Sequence, residues 1–469
     1  MKRCVGLLVV LAGSVPCVAA CDNGDVVFLP EDDSGLDASP AVDGGVDGGV
    51  DGFAADASVS DGWAGDSEAS SAAVDSAGEA GDSEAGAGDA EGGPAYASRL
   101  LLSYNGSDNS ELVAFDVASG TVAGRLVYPG FIGTTYVGVT NPWLLEQSQD
   151  IVEELDPAQP WLVRGSWNVA LSDAADGGGS YSDPVAVVVS AGTKAYVLRY
   201  TRNEIAVIDT SPGADAAVPA GSIDLSGLVQ ADGDGFVEMT AGVYDPGRGR
   251  LYVLLANINR NLVASDGFTI LCADTHPTVV AIDVATDTLV DLNGPADGGG
   301  IALTGYAPAW GQQAMVYDSS SDRLLILHAG CNVATDGGAA GALQGRGVEE
   351  VSLFAATTTM LLDLDGAGYP QGLVYIDAHR AIVQLDTAYT WDPTIPALGA
   401  PVPNAPANYD WDGNGNLVGV TPRNGSDGGQ VGWDVISVRV VDGTVTKLGA
   451  DPFSLSGGFV SGAQLWPSP

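Results

Sequence analysis

Apolar residues along this chain come in short runs separated by turn signals, and no stretch sustains the spacing of a long amphipathic helix. Residues 278–292, TVVAIDVATDTLVDL, carry the pattern most clearly. Val279, Val280 and Ile282 lead into a polar tip from Asp283 to Thr288, and Leu289, Val290 and Leu292 lead out of it. That is the pattern of two short strands joined by a tight turn, whose Asp and Thr side chains can bond the local backbone. The hairpin recurs as ELVAFDVASGTVAGRLV (111–127), VEEVSLFAATTTMLLDL (348–364) and VISVRVVDGTVTKL (435–448), with weaker copies at 150–169 and 204–225. A second hairpin alternates with it: AGVYDPGRGRLYVLL (241–255), AMVYDSSSDRLLIL (314–327), GLVYIDAHRAIVQL (372–385) and YDWDGNGNLVGV (409–420).

One hairpin of each kind makes four strands in about 40–60 residues, the size of a β-propeller blade with generous loops. The pattern predicts an all-β fold with seven blades at 97–128, 131–171, 183–226, 236–293, 310–366, 369–402 and 406–450. The copies at 131–171 and 369–402 are degenerate, which leaves six or eight blades as alternatives. The first blade begins abruptly at SRLLLSYNG (98–106), with no apolar strand ahead of it, and one strand is left over at GGFVSGAQLW (457–466). Supplying that C-terminal strand to the first blade would close the ring and remove an exposed edge.

LVAFDVASGTV and TVVAIDVATDTLV resemble the YVTN-type repeat of bacterial extracytoplasmic β-propellers, whose blades carry a Val-Ile-Asp-x-x-Thr-x-Thr-Val hairpin. The resemblance covers most of residues 96–448. The Tyr-Val-Thr-Asn tetrapeptide itself is missing; YVLRYTRNEIAVIDT (196–210) and LYVLLANIN (251–259) come nearest. The resemblance implies the fold. Relatives include binding modules and many lipoproteins, so the fold alone does not fix an activity.

The first 95 residues read differently. Met1-Lys2-Arg3 is basic, and residues 5–18 are apolar but broken by Gly13, Ser14 and Pro16, too short and interrupted to span a bilayer. The run ends in Val18-Ala19-Ala20-Cys21, which resembles the bacterial lipobox. That resemblance implies a signal peptide over 1–20 and a mature N-terminus at Cys21 carrying lipid (palmitate among its acyl chains), anchored in the cell envelope; ordinary cleavage after Ala20 with a free Cys21 is the alternative. Asp22 leaves inner versus outer membrane open. Residues 22–95 repeat VDGG and GDSEA units with 19 acidic and no basic residues. One-sign charge and low hydrophobicity predict a disordered linker, roughly 50 Å long as a flexible coil. The organisation is therefore 1–20 signal peptide, 21–95 lipidated Cys and acidic linker, and 96–469 propeller.

Charge narrows the partners. The chain has a formal net charge of −43. Residues 96–469 hold 41 acidic and 15 basic residues, a net of −26. That excludes nucleic acid as a partner, because counterion release needs clustered Lys and Arg.

Candidate chemistry is sparse. Cys272 and Cys331 lie at equivalent points of the 236–293 and 310–366 blades, in loops that should emerge side by side, and outside the cytoplasm this predicts a disulfide. With His276 and His328 they also make a Cys₂His₂ set that could hold zinc or copper. Asp410, Asp412 and Asn414 match the first half of a calcium loop, Asp-x-Asp-x-Asn-Gly, although the twelfth position is Thr421 where a Glu is expected. Asp412 also stands where the repeat places a turn Asp. No nucleophile–base set and no Gly-x-Ser-x-Gly elbow is present. Trp143, Trp161, Trp310 and Trp391 could stack on sugars or peptides or pack between blades. Three readings follow. The first is a membrane-anchored, non-enzymatic binding or scaffolding module for a protein or glycan partner. The second is a propeller hydrolase or lactonase with a metal in the central funnel. The third is a purely structural envelope component.

Overall fold

The two recurring hairpins pair side by side. In the fourth blade Met239–Asp245 and Arg250–Leu255 form one hairpin, Thr278–Asp283 and Thr288–Val290 the other, and Leu254 stands opposite Val279 where the two meet. The structure, a computed structural model, describes residues 98–467. Short interruptions fall at 108, 139, 171–181, 191–192, 212–218, 232, 266–268, 294–298, 310–311, 336–337 and 426–428. It also describes two short strands, Cys17–Ala20 and Val26–Leu29, which pair with each other. Cys21 and nearly all of the acidic tract lie outside the described residues.

Seven antiparallel sheets form a β-propeller, six of four strands and the fourth blade's of five, because Ile301–Ala302 also pairs with Thr278–Asp283. Their innermost strands are Phe459–Trp466, Tyr136–Val137, Pro184–Val189, Met239–Asp245, Met315–Asp318, Gly372–Asp377 and Asn408–Trp411. We number the blades one to seven in that order. Both degenerate copies form blades, the one at 131–171 around a first strand, Tyr136–Val137, of only two residues. Closure also follows the sequence: Phe459–Trp466 runs antiparallel to Arg99–Asn105, with Arg99 opposite Trp466 and Leu100 opposite Leu465.

Burial explains the composition of each strand. A middle strand has a neighbouring blade on each side, so Leu324, Leu325, Ile326 and Leu327 are all buried and read as one apolar run. Outermost strands such as Thr121–Pro129 alternate and carry polar residues. The core accordingly lies between blades. Leu100, Leu102 and Phe115 of blade one meet Val418, Val420 and Val435 of blade seven, for example.

Antiparallel order gives the ring two different faces. The turns between first and second strands and between third and fourth strands share one, here called the turn face. Loops between second and third strands and the connections between blades share the other, the insert face. On the turn face the repeated Asp closes its own loop: Asp116 accepts from Ser119 N–H (2.8 Å), Asp283 from Ala285 and Thr286 N–H (both 3.0 Å) and Asp318 from Ser320 N–H (3.0 Å). The last turn residue is left-handed, and Gly120 (φ 71°) and Gly443 (φ 67°) fill it where the backbone is closely approached. The Tyr and Asp that end the first strand also link neighbouring blades. Tyr375 donates to Asp318 of the preceding blade (2.6 Å), and Arg248 joins Asp245 (2.8 Å), Tyr317 (3.2 Å) and Asp322 (2.5 Å) across blades four and five. Burial opposes ionisation of Asp318, but bonds from Ser320, Tyr375 and Arg323 hold its carboxyl well below the usual range.

Candidate functional site

On the insert face, the loops after the second strands of blades four and five meet. Cys272 and Cys331 form a disulfide, with Cα atoms 5.1 Å apart. Leu271 and Asn332 bridge in parallel beside it, and Cys272 N–H donates to Asn332 O (2.9 Å). Neither sulfur is left as a thiolate for zinc or copper. The two histidines are otherwise engaged. The His276 ring stacks on Tyr306 at 5.4 Å, and its backbone is held on both sides by Gln230. His328 is fully buried, with Nε2 3.0 Å from Glu349 Oε2. Glu349 accepts from Thr304 N–H (2.9 Å), Thr304 Oγ1–H (2.8 Å) and Gly305 N–H (3.0 Å). Burial works against its charge, yet His328 and these amides bring its carboxyl down to about 2.

Glu349 has a counterpart that repeat reading overlooked. Glu111, at the same third position of its third strand, accepts from Ser454 N–H (2.6 Å), Ser454 Oγ–H (2.7 Å) and Leu455 N–H (3.0 Å). Each carboxylate thus ties down the connection entering its own blade. The matching glutamates in SELVAF and VEEVSL were the available signal.

Other buried acids on this face are also structural in setting. Asp183 is 2% exposed, and neither carboxylate oxygen reaches solvent. Burial and the neighbouring Asp150 push it up to about 7. Glu146 rises to about 7 through burial and the charge of Glu153, which Tyr128 also contacts (2.5 Å).

The calcium-loop residues sit in blade seven. Asp410 accepts from Trp411 N–H and from Leu465 N–H of the closing strand (both 2.8 Å), and burial pushes its carboxyl up to about 6. Asp412 accepts from Asn414 N–H (2.7 Å), Asn416 N–H (2.9 Å) and Asn416 Nδ2–H (2.7 Å), while Asn414 Nδ2 donates to Asp412 O (3.0 Å). All four carboxylate oxygens are therefore bonded within the chain, in the geometry of a side-chain-closed turn. Among the described residues no group of three or more His, Cys, Asp or Glu is placed to hold a metal.

A concave site opens instead on the turn face, between blades six and seven. It is a groove of about 470 Å³ with a mainly apolar lining. Ile382, Trp391 and Leu398 supply the blade-six side, Trp411, Val440 and Val441 the blade-seven side. Trp391 Nε1–H donates to Ile395 O (2.9 Å), which fixes the loop after the third strand as one wall. The rim is polar. His379 Nδ1 lies 3.6 Å from Asp392, and Arg380 pairs with Asp377 at 2.6 Å. Of the tryptophans singled out by sequence, Trp143 is buried against Trp167 (5.5 Å), Trp161 covers Gly124, and Trp310 lies outside the described residues. Trp391 alone of the four lines the groove; Trp411 was overlooked because it sits inside the Asp-rich turn motif.

No family model matches the chain, and no curated protein matches it. Several solved structures are similar to it. Hydrazine synthase of Kuenenia stuttgartiensis is 14% identical over 72% of this chain and 88% of that one, with a TM-score of 0.44. A functionally unknown protein from Desulfotomaculum acetoxidans is 9% identical over 78% and 99%, with a TM-score of 0.48. A luciferin-regenerating enzyme is 12% identical over 71% and 90%, with a TM-score of 0.36. At these values the likenesses carry nothing about what this chain does.

Proposed function

We propose that this chain is a lipid-anchored extracytoplasmic binding module of the YVTN-type propeller kind. Acylated Cys21 holds it to the envelope, the acidic tract spaces the ring from the lipid surface, and the groove between blades six and seven takes a protein or glycan partner. The observation that carries this reading is the groove itself. It is apolar, large enough for a side chain cluster or small ligand, and rimmed by His379, Arg380 and Asp392. Several acyl chains, at about 0.8 kcal/mol per buried CH₂, make a firm anchor. The alternative of a hydrolase with a metal in the axial funnel has no comparable observation behind it.

Two measurements test the proposal. Cys21→Ala should move the protein from the membrane to the soluble fraction; continued membrane association would remove the anchor. Pull-down from detergent-solubilised envelope should recover a partner with the unaltered chain and lose it with Trp411→Ala. Equal recovery with both would remove the groove.

A further inference from the structure

Among the described residues, exposed large apolar side chains occur on most blades, but two stand well above the rest. Phe354 (93% exposed) and Val441 (90%) are the two most exposed large apolar residues among those described. They occupy one and the same turn position. The turn between third and fourth strands reads Asp116-Val117-Ala118-Ser119-Gly120 in blade one and Asp283-Val284-Ala285-Thr286-Asp287 in blade four. Blade five has Ser352-Leu353-Phe354-Ala355-Ala356, and blade seven has Arg439-Val440-Val441-Asp442-Gly443. In blades one, four and seven the fifth residue's N–H donates to the first residue's carbonyl (2.9, 2.9 and 2.8 Å), and in blade five the register follows from Ser352 standing opposite Thr357, as Asp116 does Thr121 and Asp283 does Thr288, with Ala356 left-handed (φ 52°) at the fifth position. The second position, Val117, Val284, Leu353 or Val440, packs inward against the blades. The third needs only a small residue, and blades one and four supply Ala.

Phe354 and Val441 thus do nothing for the turn. Between them in the ring stands Ile395, 51% exposed, on the corresponding connection of blade six. Ile395 and Val441 also wall the groove. Three consecutive blades therefore each present an exposed apolar side chain on one face, two of the three on the groove wall, and exposed apolar surface beside a groove marks an interaction site.

Charge selects the occupant. Of the acidic side chains on the same face, Asp322, Asp377 and Asp442 are paired with Arg248, Arg380 and Arg439, while Asp392 faces only His379 (3.6 Å) and Asp412 bonds within its own turn. The propeller segment carries a net −26. The chain's own linker, with 19 acidic and no basic residues, is repelled from this face, and so is a second copy. A segment bearing an apolar or aromatic anchor flanked by Lys or Arg is complementary in both respects. We propose that the arc Phe354–Ile395–Val441 and the adjoining groove dock a cationic peptide segment of a partner protein, an inference that rests on the groove being the binding site.

The test uses the full-length, detergent-solubilised chain and fluorescent twelve-residue probes: alternating Lys and Trp, Glu in place of Lys, and Ser in place of Trp, with a chitooligosaccharide as the glycan probe. The Lys/Trp probe should bind in fluorescence polarisation and weaken with added salt. Phe354→Ala with Val441→Ala should weaken it at least tenfold. Those substitutions are safe for folding, because Ala is what blades one and four carry there. Equal binding of the Glu probe, or no loss in the double variant, overturns the proposal. Binding of the saccharide alone overturns the peptide and leaves the binding module standing. Self-association abolished by the double variant would replace the peptide with a second copy. If no probe binds and the groove variant still recovers partners, both readings fall.

Discussion

Removing the closing strand's anchors should open the ring, and the size of the effect can be worked from the side chains. Trp466 is 3% exposed and fills the space between blades one and two beside Ile132, Leu144 and Leu155; its Nε1–H donates to Pro157 O at 2.7 Å. Leu465 points the other way, into the cluster of Leu100, Val418 and Val420. Truncation of a buried Trp costs about 3–5 kcal/mol and of a buried Leu about 2–5 kcal/mol. The two side chains face opposite neighbours, so their costs should nearly add, to about 5–10 kcal/mol. A domain of this kind has about 5–15 kcal/mol in total. Unfolding entropy of about 2.1 cal/mol/K per residue, over about 370 residues, converts each kcal/mol into roughly 1.3 °C. Trp466→Ala should therefore lower the thermal midpoint by about 4–6 °C, and the double variant Leu465→Ala, Trp466→Ala by about 6–13 °C with early proteolysis in blade one. Val445→Ala, on the exposed outermost strand of blade seven, is the control and should move it by less than about 1 °C. A double variant melting with the unaltered protein would refute closure by this strand.

Three further outcomes follow from buried chemistry. The Cys272–Cys331 bond spans 59 residues, so chain entropy gives about 4 kcal/mol; Cys272→Ser with Cys331→Ser should lower the midpoint by about 5 °C, and alkylation mapped to Cys272 or Cys331 in the unreduced protein would contradict the pairing. Glu146 is raised to about 7 by burial and Glu153, so its ionisation penalises the fold increasingly from pH about 4.5 to 7. Glu146→Gln should stabilise the protein by at most about 3 kcal/mol at pH 8 and hardly at all at pH 4.5 in urea unfolding; equal gains at both would contradict this. Glu349, lowered to about 2, contributes stability that is complete above pH about 4.5 and lost as pH falls toward 2. Glu349→Gln should cost about 2–4 kcal/mol at pH 7 and lose less than the unaltered protein between pH 4.5 and 2.

Much of this architecture is legible in the chain because each blade repeats the same local physics. Apolar runs set the strands, Asp and Gly set the turns, and a leftover strand at 457–466 demanded a partner. The disulfide was legible for the same reason, since equivalent loops of adjacent blades must neighbour one another. What stayed hidden depends on residues from different blades. Tyr375 looks like a strand residue until Asp318 of the preceding blade lies 2.6 Å away. Asp412 matches a calcium loop because the same Asp-x-Asn chemistry also closes a turn. The groove was obscured by the irregularity of blade six, where the loop around Ile395 replaces the regular turn. Phe354 and Val441 were present in the repeat all along, but only the ring separates an inward second position from an outward third.

On the proposed reading, a partner meets the turn face of blades five to seven. Repetition supplies the control within one molecule. A photo-crosslinking residue placed at Val441 or Phe354, and separately at Ala118 or Ala285, samples the same turn in different blades. Crosslinking in intact cells should give a discrete partner adduct from positions 441 and 354 and none from 118 and 285. Adducts of equal yield from all four, or none from 441 and 354, would contradict the account.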